Sequence, residues 1–381
     1  MAKLQDAELL TQDLGNRGLK QMRTGMRTEA TSVENSVVPL SETQWNDHVE
    51  RFKSSPDRYR NTSLFGFKGR GEDRYYFVAV GDHAKQFGSV RSITGEMKYD
   101  YDFYWGAVIN SQLLRAFPTG HSNIVIGIAH PTKSIGQRRE MLMATGGRHT
   151  VILPSNKEIG FFVREAVPWD EPVGGIIRWC EGLEANYNSL DLRPSDMLLV
   201  VDIGGGITSF THVFVERDDR GKLVFNPVYD QTRSPSIDIG IRNVMDRLRI
   251  ELIQNHPKFK GMKHINDDML ERGIAEGYIN ISGDDVDVSK YVRIAESELT
   301  DKMVGVYTQS LDSGRPYKGI ICSGGGMHSY FERLKTHMWG HKNVFPAGDL
   351  RQIHFANLFG GDEIFRQWIQ RKKGLDSGST K

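Results

Sequence analysis

The sequence predicts a mixed α/β protein made of two similar halves, on three observations. Its 381 residues exceed what a single core usually serves. Short apolar, strand-like runs alternate with segments of helical period, and this cycle restarts after the polar stretch 191–196, which contains Pro194. An acidic residue followed by a glycine-rich turn stands at the head of each half: Asp13-Leu14-Gly15-Asn16-Arg17-Gly18-Leu19-Lys20, and Asp202-Ile203-Gly204-Gly205-Gly206-Ile207-Thr208.

In the first half, strands are expected at 75–80, 123–129, 149–153 and 159–163. Helices are expected at 103–117, 137–145 and, behind Pro172, 173–187. The segment 54–73, dense in Arg, Ser, Gly and Asn, reads as a surface insertion turning at 68–72. The second half opens with the apolar run 197–201, the alternating run 208–216 and, after Gly221, a third strand at 222–226. Helical patterns follow at 237–254, 267–275 and 289–311, then an apolar strand at 319–322 and a helix at 329–339. Residues 373–381 form a polar tail expected to fray.

Composition narrows the function classes. Lys plus Arg number 49 against 48 Asp plus Glu, so no basic field drives direct nucleic-acid binding, and a link to DNA would run through a partner. Cys180 and Cys322 are far apart and offer neither a disulfide framework nor metal-ligand spacing, which fits a reducing cytoplasm. No stretch approaches 18 consecutive apolar residues and residues 1–15 lack a signal-peptide pattern, so membrane spanning and secretion are not expected.

The two Asp–Gly turns share a chemical logic. A carboxylate closes a strand, and glycines then allow a tight turn whose backbone N–H groups face one concavity, a shape that accepts phosphate because glycine reaches φ > 0 and carries no side chain. A carboxylate beside phosphate needs a cation, and Mg²⁺ held largely through water suits Asp13 and Asp202. Either turn alone is also compatible with an ordinary hairpin. Thr11 and Gln12 are polar where apolar residues are expected before a buried carboxylate. Lys20 is placed to return its ammonium to the phosphates, or to stand solvated on its strand.

A third cluster, Ser323-Gly324-Gly325-Gly326-Met327, follows an apolar strand and opens a helix, where bare backbone admits a flat base or a ribose phosphate. Glu171, in Asp170-Glu171-Pro172-Val173-Gly174-Gly175, begins a helix and can orient a water for attack on a γ-phosphate. The helix dipole alone also favours an acid there. In Ser236-Ile237-Asp238-Ile239-Gly240, Gly240 would let a helix approach the nucleotide, and Asp238 is a secondary candidate or a simple helix-end charge.

This ordered set of motifs resembles the actin, heat-shock chaperone and sugar-kinase superfamily: first phosphate loop at Asp13, connecting Glu-Pro segment at Glu171, second phosphate loop at Asp202, adenosine loop at Gly324–Gly326. Within it the chain looks most like the ParM/StbA plasmid-segregation group. The narrower resemblance rests on Asp13-Leu14-Gly15-Asn16 with Lys20, Val80-Gly81-Asp82-His83-Ala84, Ile126-Gly127-Ile128-Ala129-His130-Pro131 and Phe355-Ala356-Asn357-Leu358-Phe359-Gly360. Arg17 in the phosphate turn and His130 before Pro131 depart from the group's pattern.

The resemblance implies an actin-like, ribonuclease H-like duplicated fold. Residues 1–192 would form one domain, with 346–372 packing back on it, and 193–345 the other, around a nucleotide cleft. It implies an ATPase with ATP and Mg²⁺ as cofactors. Glu171 and Asp202 would be catalytic. Asp13 and Asp202 would hold the metal, and the nucleotide would lie against Gly15, Asn16, Arg17, Lys20, Gly204, Gly205, Gly206, Thr208, Asp238, Gly240, Gly324, Gly325, Gly326 and Met327. The partners implied are further copies of the chain in a filament and a small DNA-binding adaptor. A sugar or small-metabolite kinase of the same superfamily, and a filament for cell shape or organelle positioning, are the alternatives.

Overall fold

The computed structural model describes residues 6–15, 18–54, 63–69, 71–87, 91–92, 103–130, 135–182, 190–219, 221, 223–228, 234–262, 265–311, 317–337 and 343–378. The chain divides into two compact units, Met1–Gly174 with Gly361–Lys381, and Gly175–Gly360.

The first unit holds ten strands: β1 (Glu8–Leu14), β2 (Gly18–Arg23), β3 (Thr31–Glu34), β4 (Ser36–Leu40), β5 (Leu64–Lys68), β6 (Tyr75–Val80), β7 (Arg91–Ser92), β8 (His121–His130), β9 (Gly147–Ile152) and β10 (Glu158–Asp170). They form one sheet in the order β3-β2-β1-β8-β10-β9-β5-β6-β4-β7. Strands β1, β8 and β10 run parallel, and β2 and β3 add antiparallel hairpins. Helices α1 (Glu42–Ser54), α2 (Tyr104–Ala116) and α3 (Ile135–Thr145) belong to this unit. Val108, Ile109 and Leu113 of α2 share a core with Leu10, Leu14 and Leu19.

Helix α4 (Glu171–Gly182) carries the chain from one unit into the other. The second unit contains β11 (Met197–Ile203), β12 (Thr208–Arg217), β13 (Leu223–Pro227), β14 (Ser236–Ile237), β15 (Tyr278–Ile281), β16 (Asp284–Asp287), β17 (Gly319–Ser323) and β18 (Val344–Pro346). Its helices are α5 (Ile241–Asn255), α6 (Asp267–Glu276), α7 (Ser289–Leu311) and α8 (Met327–His337), and α9 (Ala356–Gly378) returns the chain to the first unit. The main sheet runs β13-β12-β11-β17-β18, with β11, β17 and β18 parallel. This repeats the β3-β2-β1-β8-β10 core of the first unit strand for strand, so the fold is a duplicated α/β unit. Residues 197–201 are all buried, which is why β11 reads as an unbroken apolar run rather than an alternating one.

Several elements differ from expectation. Strand β10 continues to Asp170, seven residues past the expected end, because β8 offers it a parallel partner up to the Asp170–His130 pair. Within the expected surface insertion 54–73, β5 is a buried strand between β6 and β9. Leu64, Phe65 and Phe67 are core residues whose apolar run is masked by polar flanks. Helix α5 starts at Ile241 rather than 237, since Ser236 and Ile237 pair with β12. Helix α9 runs on to Gly378, through much of the expected frayed tail. Part of the expected helix 173–187 and residue Lys222 lie outside the described residues.

The start of α9 in the first unit is docked by both shape and charge. An ideal Cβ at Gly127 would sit 2.5 Å from Phe365 Cγ, so β8 meets the Phe365 ring through bare backbone. Asp362 is fully buried and accepts from Thr11 Oγ1 (3.0 Å), Gly25 N (3.1 Å) and Arg366 Nε (3.1 Å), while burial pushes its carboxyl above the ordinary value. Thr11 is therefore polar in the strand because it is the anchor for this helix. G127A is expected to destabilise the protein by about 1–3 kcal/mol through overpacking. G127A/F365L is expected to recover part of that loss, measured by urea unfolding. An undiminished midpoint in G127A would contradict this packing.

Candidate functional site

The carboxyl ends of the parallel strands carry the candidate residues in each unit, the edge at which ligands bind in open α/β sheets. In the second unit, the penultimate residue of the apolar strand β11 is Asp202, which lies beside Ser209 of β12 and Ser323 of β17. The turn after it is closed by Gly204 N donating to Ile207 O (2.9 Å).

Three separate glycine stretches meet here. The N-terminus of α5 reaches the turn directly: Ile241 N donates to Gly204 O (3.1 Å) and Arg242 N to Gly205 O (2.9 Å). An ideal Cβ on Gly240 would lie 2.5 Å from Gly204 O and 2.7 Å from Gly205 C, so only glycine permits the approach. From the other side, Gly326 N donates to Ile203 O (2.9 Å), and Gly324, at φ 94, would place a Cβ 2.5 Å from Asp202 Oδ1.

These contacts correct the reason expected for the glycines. None of Gly15, Gly204, Gly205 and Gly206 lies in the left-handed region, whereas Gly324 does. In the Asp202 turn the missing side chains admit other backbones. Gly240 brings α5 against Gly204 and Gly205, and the first N–H groups of that helix are spent on the turn's own carbonyls.

Other sequence candidates of this unit fall around that centre. Thr208 is fully buried and donates to Ile239 O (2.7 Å), so it braces the segment entering α5 from beneath the turn. Met327 is likewise fully buried, in the core, and Gly325 is half-buried. Asp238 is exposed, two residues before Gly240, the residue that caps α5 through Asn243. Two residues that sequence reasoning left without a role touch Asp202: Ser323 Oγ donates to its Oδ2 (2.9 Å), and so does Asn357 Nδ2 (2.6 Å). The only sequence signal for Asn357 was its place in Phe355-Ala356-Asn357-Leu358-Phe359-Gly360.

In the first unit, Asp13 and Lys20 are opposite one another across the β1–β2 hairpin. Lys20 Nζ donates to Asp13 Oδ2 at 2.8 Å, and both side chains are buried. The lysine ammonium is thus on the carboxylate at the turn. Gly15 follows with its carbonyl accepting from Asn35 Nδ2 (2.8 Å). Asn16 and Arg17 lie outside the described residues. Glu171 opens α4 directly after β10, half-buried. Since β8 alone separates β1 from β10, Asp13 and Glu171 share one edge of this sheet, roughly 10 Å apart at two strand spacings.

No protein-family model matches the sequence, and no curated protein matches it. Solved structures do. The actin-like protein Alp7A is 16% identical, with 98% of this chain and 99% of that one covered at a TM-score of 0.66. An archaeal actin homolog in complex with ADP is 14% identical over 94% of this chain and 99% of that one, at 0.63. A 15-stranded ParM filament from Clostridium botulinum is 18% identical over 95% and 99%, at 0.61.

The fold is actin-like.

At these identities the likeness is one of fold, and the chemistry of this actin-like chain rests on its own residues. G240A is expected to lose about 1–3 kcal/mol in urea unfolding, because its Cβ enters the backbone of the Asp202 turn. G206A, whose ideal Cβ meets nothing within 4 Å, is expected to stay within about 0.5 kcal/mol of the parent. Equal effects of the two would refute this account of the turn.

Proposed function

We propose that this chain is a cytoplasmic actin-like ATPase that binds Mg-ATP, hydrolyses it and assembles into nucleotide-dependent filaments. The observation that carries the reading is the meeting of Gly204–Gly206, Gly240 and Gly324–Gly326 at the turn that follows Asp202, within one unit of a duplicated fold whose other unit carries Asp13 at the equivalent hairpin position. Bare backbone beside a carboxylate, with open space at Gly206, where an ideal Cβ would meet nothing within 4 Å, suits a metal-bound polyphosphate. The ADP complex of the archaeal homolog and the ParM filament of C. botulinum, both of this fold, support the reading.

The residues divide the work by their chemistry. Asp13 and Asp202 are the carboxylates that would hold Mg²⁺, largely through water; when bound, the ion neutralises phosphate charge. The Gly204–Gly206 turn lets backbone lie against phosphate oxygens, and Gly324–Gly326 admits the adenosine. Lys20, paired to Asp13, places a cation beside the first turn. Glu171 orients the attacking water as hydrogen-bond acceptor. With a net charge of +1, the chain has no field for gripping DNA, so a role in plasmid segregation would use a small DNA-binding adaptor.

Sedimentation with Mg-ATP tests the reading. The chain is expected to pellet with Mg-ATP and to release phosphate. Persistent monomers that phosphorylate a sugar would establish the kinase alternative instead. E171A is expected to slow hydrolysis roughly a hundredfold with nucleotide still bound. D202A is expected to weaken Mg-dependent nucleotide binding by about tenfold or more in calorimetry. Full turnover in E171A, or full affinity in D202A, would remove the residue from its role.

A further inference from the structure

We infer that Asn357, together with Ser323, is a positioning residue that aims the Asp202 carboxylate. The inference rests on the Mg-ATP reading of the site and adds a component that the glycine motifs do not contain. Both side chains donate to the same oxygen, Asp202 Oδ2, at 2.6 Å from Asn357 and 2.9 Å from Ser323. Two donors arriving from different elements at one oxygen fix the rotation of the carboxylate about its last bond. The other oxygen, Oδ1, then lies beside the bare Cα of Gly324, where an ideal Cβ would be 2.5 Å away. The carboxylate is held at the seam between the two glycine turns of the second unit.

The donors are supplied in different ways. Ser323 is the parallel-sheet neighbour of Asp202, so the register of β11 with β17 sets its hydroxyl. Asn357 is the second residue of α9 and far away in sequence, and its reach depends on close packing of α4. An ideal Cβ on Gly175 would lie 3.1 Å from Asn357 Oδ1 and 3.3 Å from Ser323 Oγ, tighter than ordinary contact.

The amide is poorly explained by stability alone. Asn357 is buried, and among the described residues its Oδ1 has no hydrogen-bond partner. A buried acceptor without a partner destabilises the fold, and an apolar side chain of similar size would not carry that penalty. What the amide adds is an uncharged donor aimed at a carboxylate. Its orientation is set by chemistry, since an ionised carboxylate only accepts and must face the NH₂ rather than the carbonyl end. Outer-shell partners of this kind orient metal-binding carboxylates, and their loss typically weakens metal affinity or activity tenfold to a hundredfold, roughly.

N357A and N357D separate positioning from packing. ATP turnover and nucleotide binding are measured against Mg²⁺ concentration, with the thermal midpoint of each variant. N357A is expected to raise the Mg²⁺ needed for half-maximal turnover about tenfold. N357D keeps the shape but sets an acceptor against an acceptor, and is expected to be more impaired than N357A at about pH 8. A purely structural Asn357 predicts lowered thermal midpoints in N357A and N357D with the parental Mg²⁺ dependence kept, and that result would overturn the inference. S323A, lacking the second donor, is expected to shift the Mg²⁺ dependence in the same direction, and it serves if N357A does not fold. Parental Mg²⁺ dependence in all folded variants would sink the positioning role while leaving the Mg-ATP reading intact. A parent protein with no Mg-dependent ATP binding would overturn both.

Discussion

The second unit depends on backbones meeting without side chains between them. Around Asp202, the N-terminus of α5 and the turn after β17 press onto a single hairpin turn, and the backbone hydrogen bonds between them each involve a glycine. Each such glycine costs about 0.5–1 kcal/mol of conformational entropy relative to alanine. The hydrogen bonds they permit, from Ile241 N, Arg242 N and Gly326 N to the β11 turn, contribute a similar amount each, about 1 kcal/mol. The arrangement is near neutral for stability, so its value is geometric. It brings three chain segments together at the turn that follows Asp202.

The two halves repeat the same strand order but finish their first hairpins differently. At equivalent hairpin positions, Asp13 faces Lys20 while Asp202 faces Ser209. The first turn is an ion pair buried at the sheet edge, and the second is a carboxylate steadied by the uncharged donors Ser323 and Asn357. The carboxylates at these equivalent hairpin positions thus have different neighbours.

Polar residues inside the first unit follow from its connection to α9. Thr11 looked out of place in a strand leading to a buried carboxylate, yet it is fully buried and bonded to Asp362. A partner 351 residues away cannot be inferred from local pattern. The same limit applies to β5, a core strand read as part of a surface insertion. Its short apolar run is convincing only once β6 and β9 stand on either side of it.

The α/β class, the duplication, the helices α2, α6 and α7, and the positions of the glycine turns were all legible from the chain, because hydrophobic period and glycine clustering are local signals. The places of Asp13 and Asp202 near strand ends and of Glu171 at the start of a helix were legible for the same reason, since each lies in a recognisable local motif. Tertiary structure alone decided what those turns touch. It assigned Gly240 to the Gly204–Gly205 backbone, buried Thr208 and Met327 beneath the site, put Lys20 on Asp13 and brought Asn357 to Asp202. The division is physical. Backbone conformation is written into neighbouring residues, whereas the partner of a side chain depends on segments that meet only after the sheets have formed.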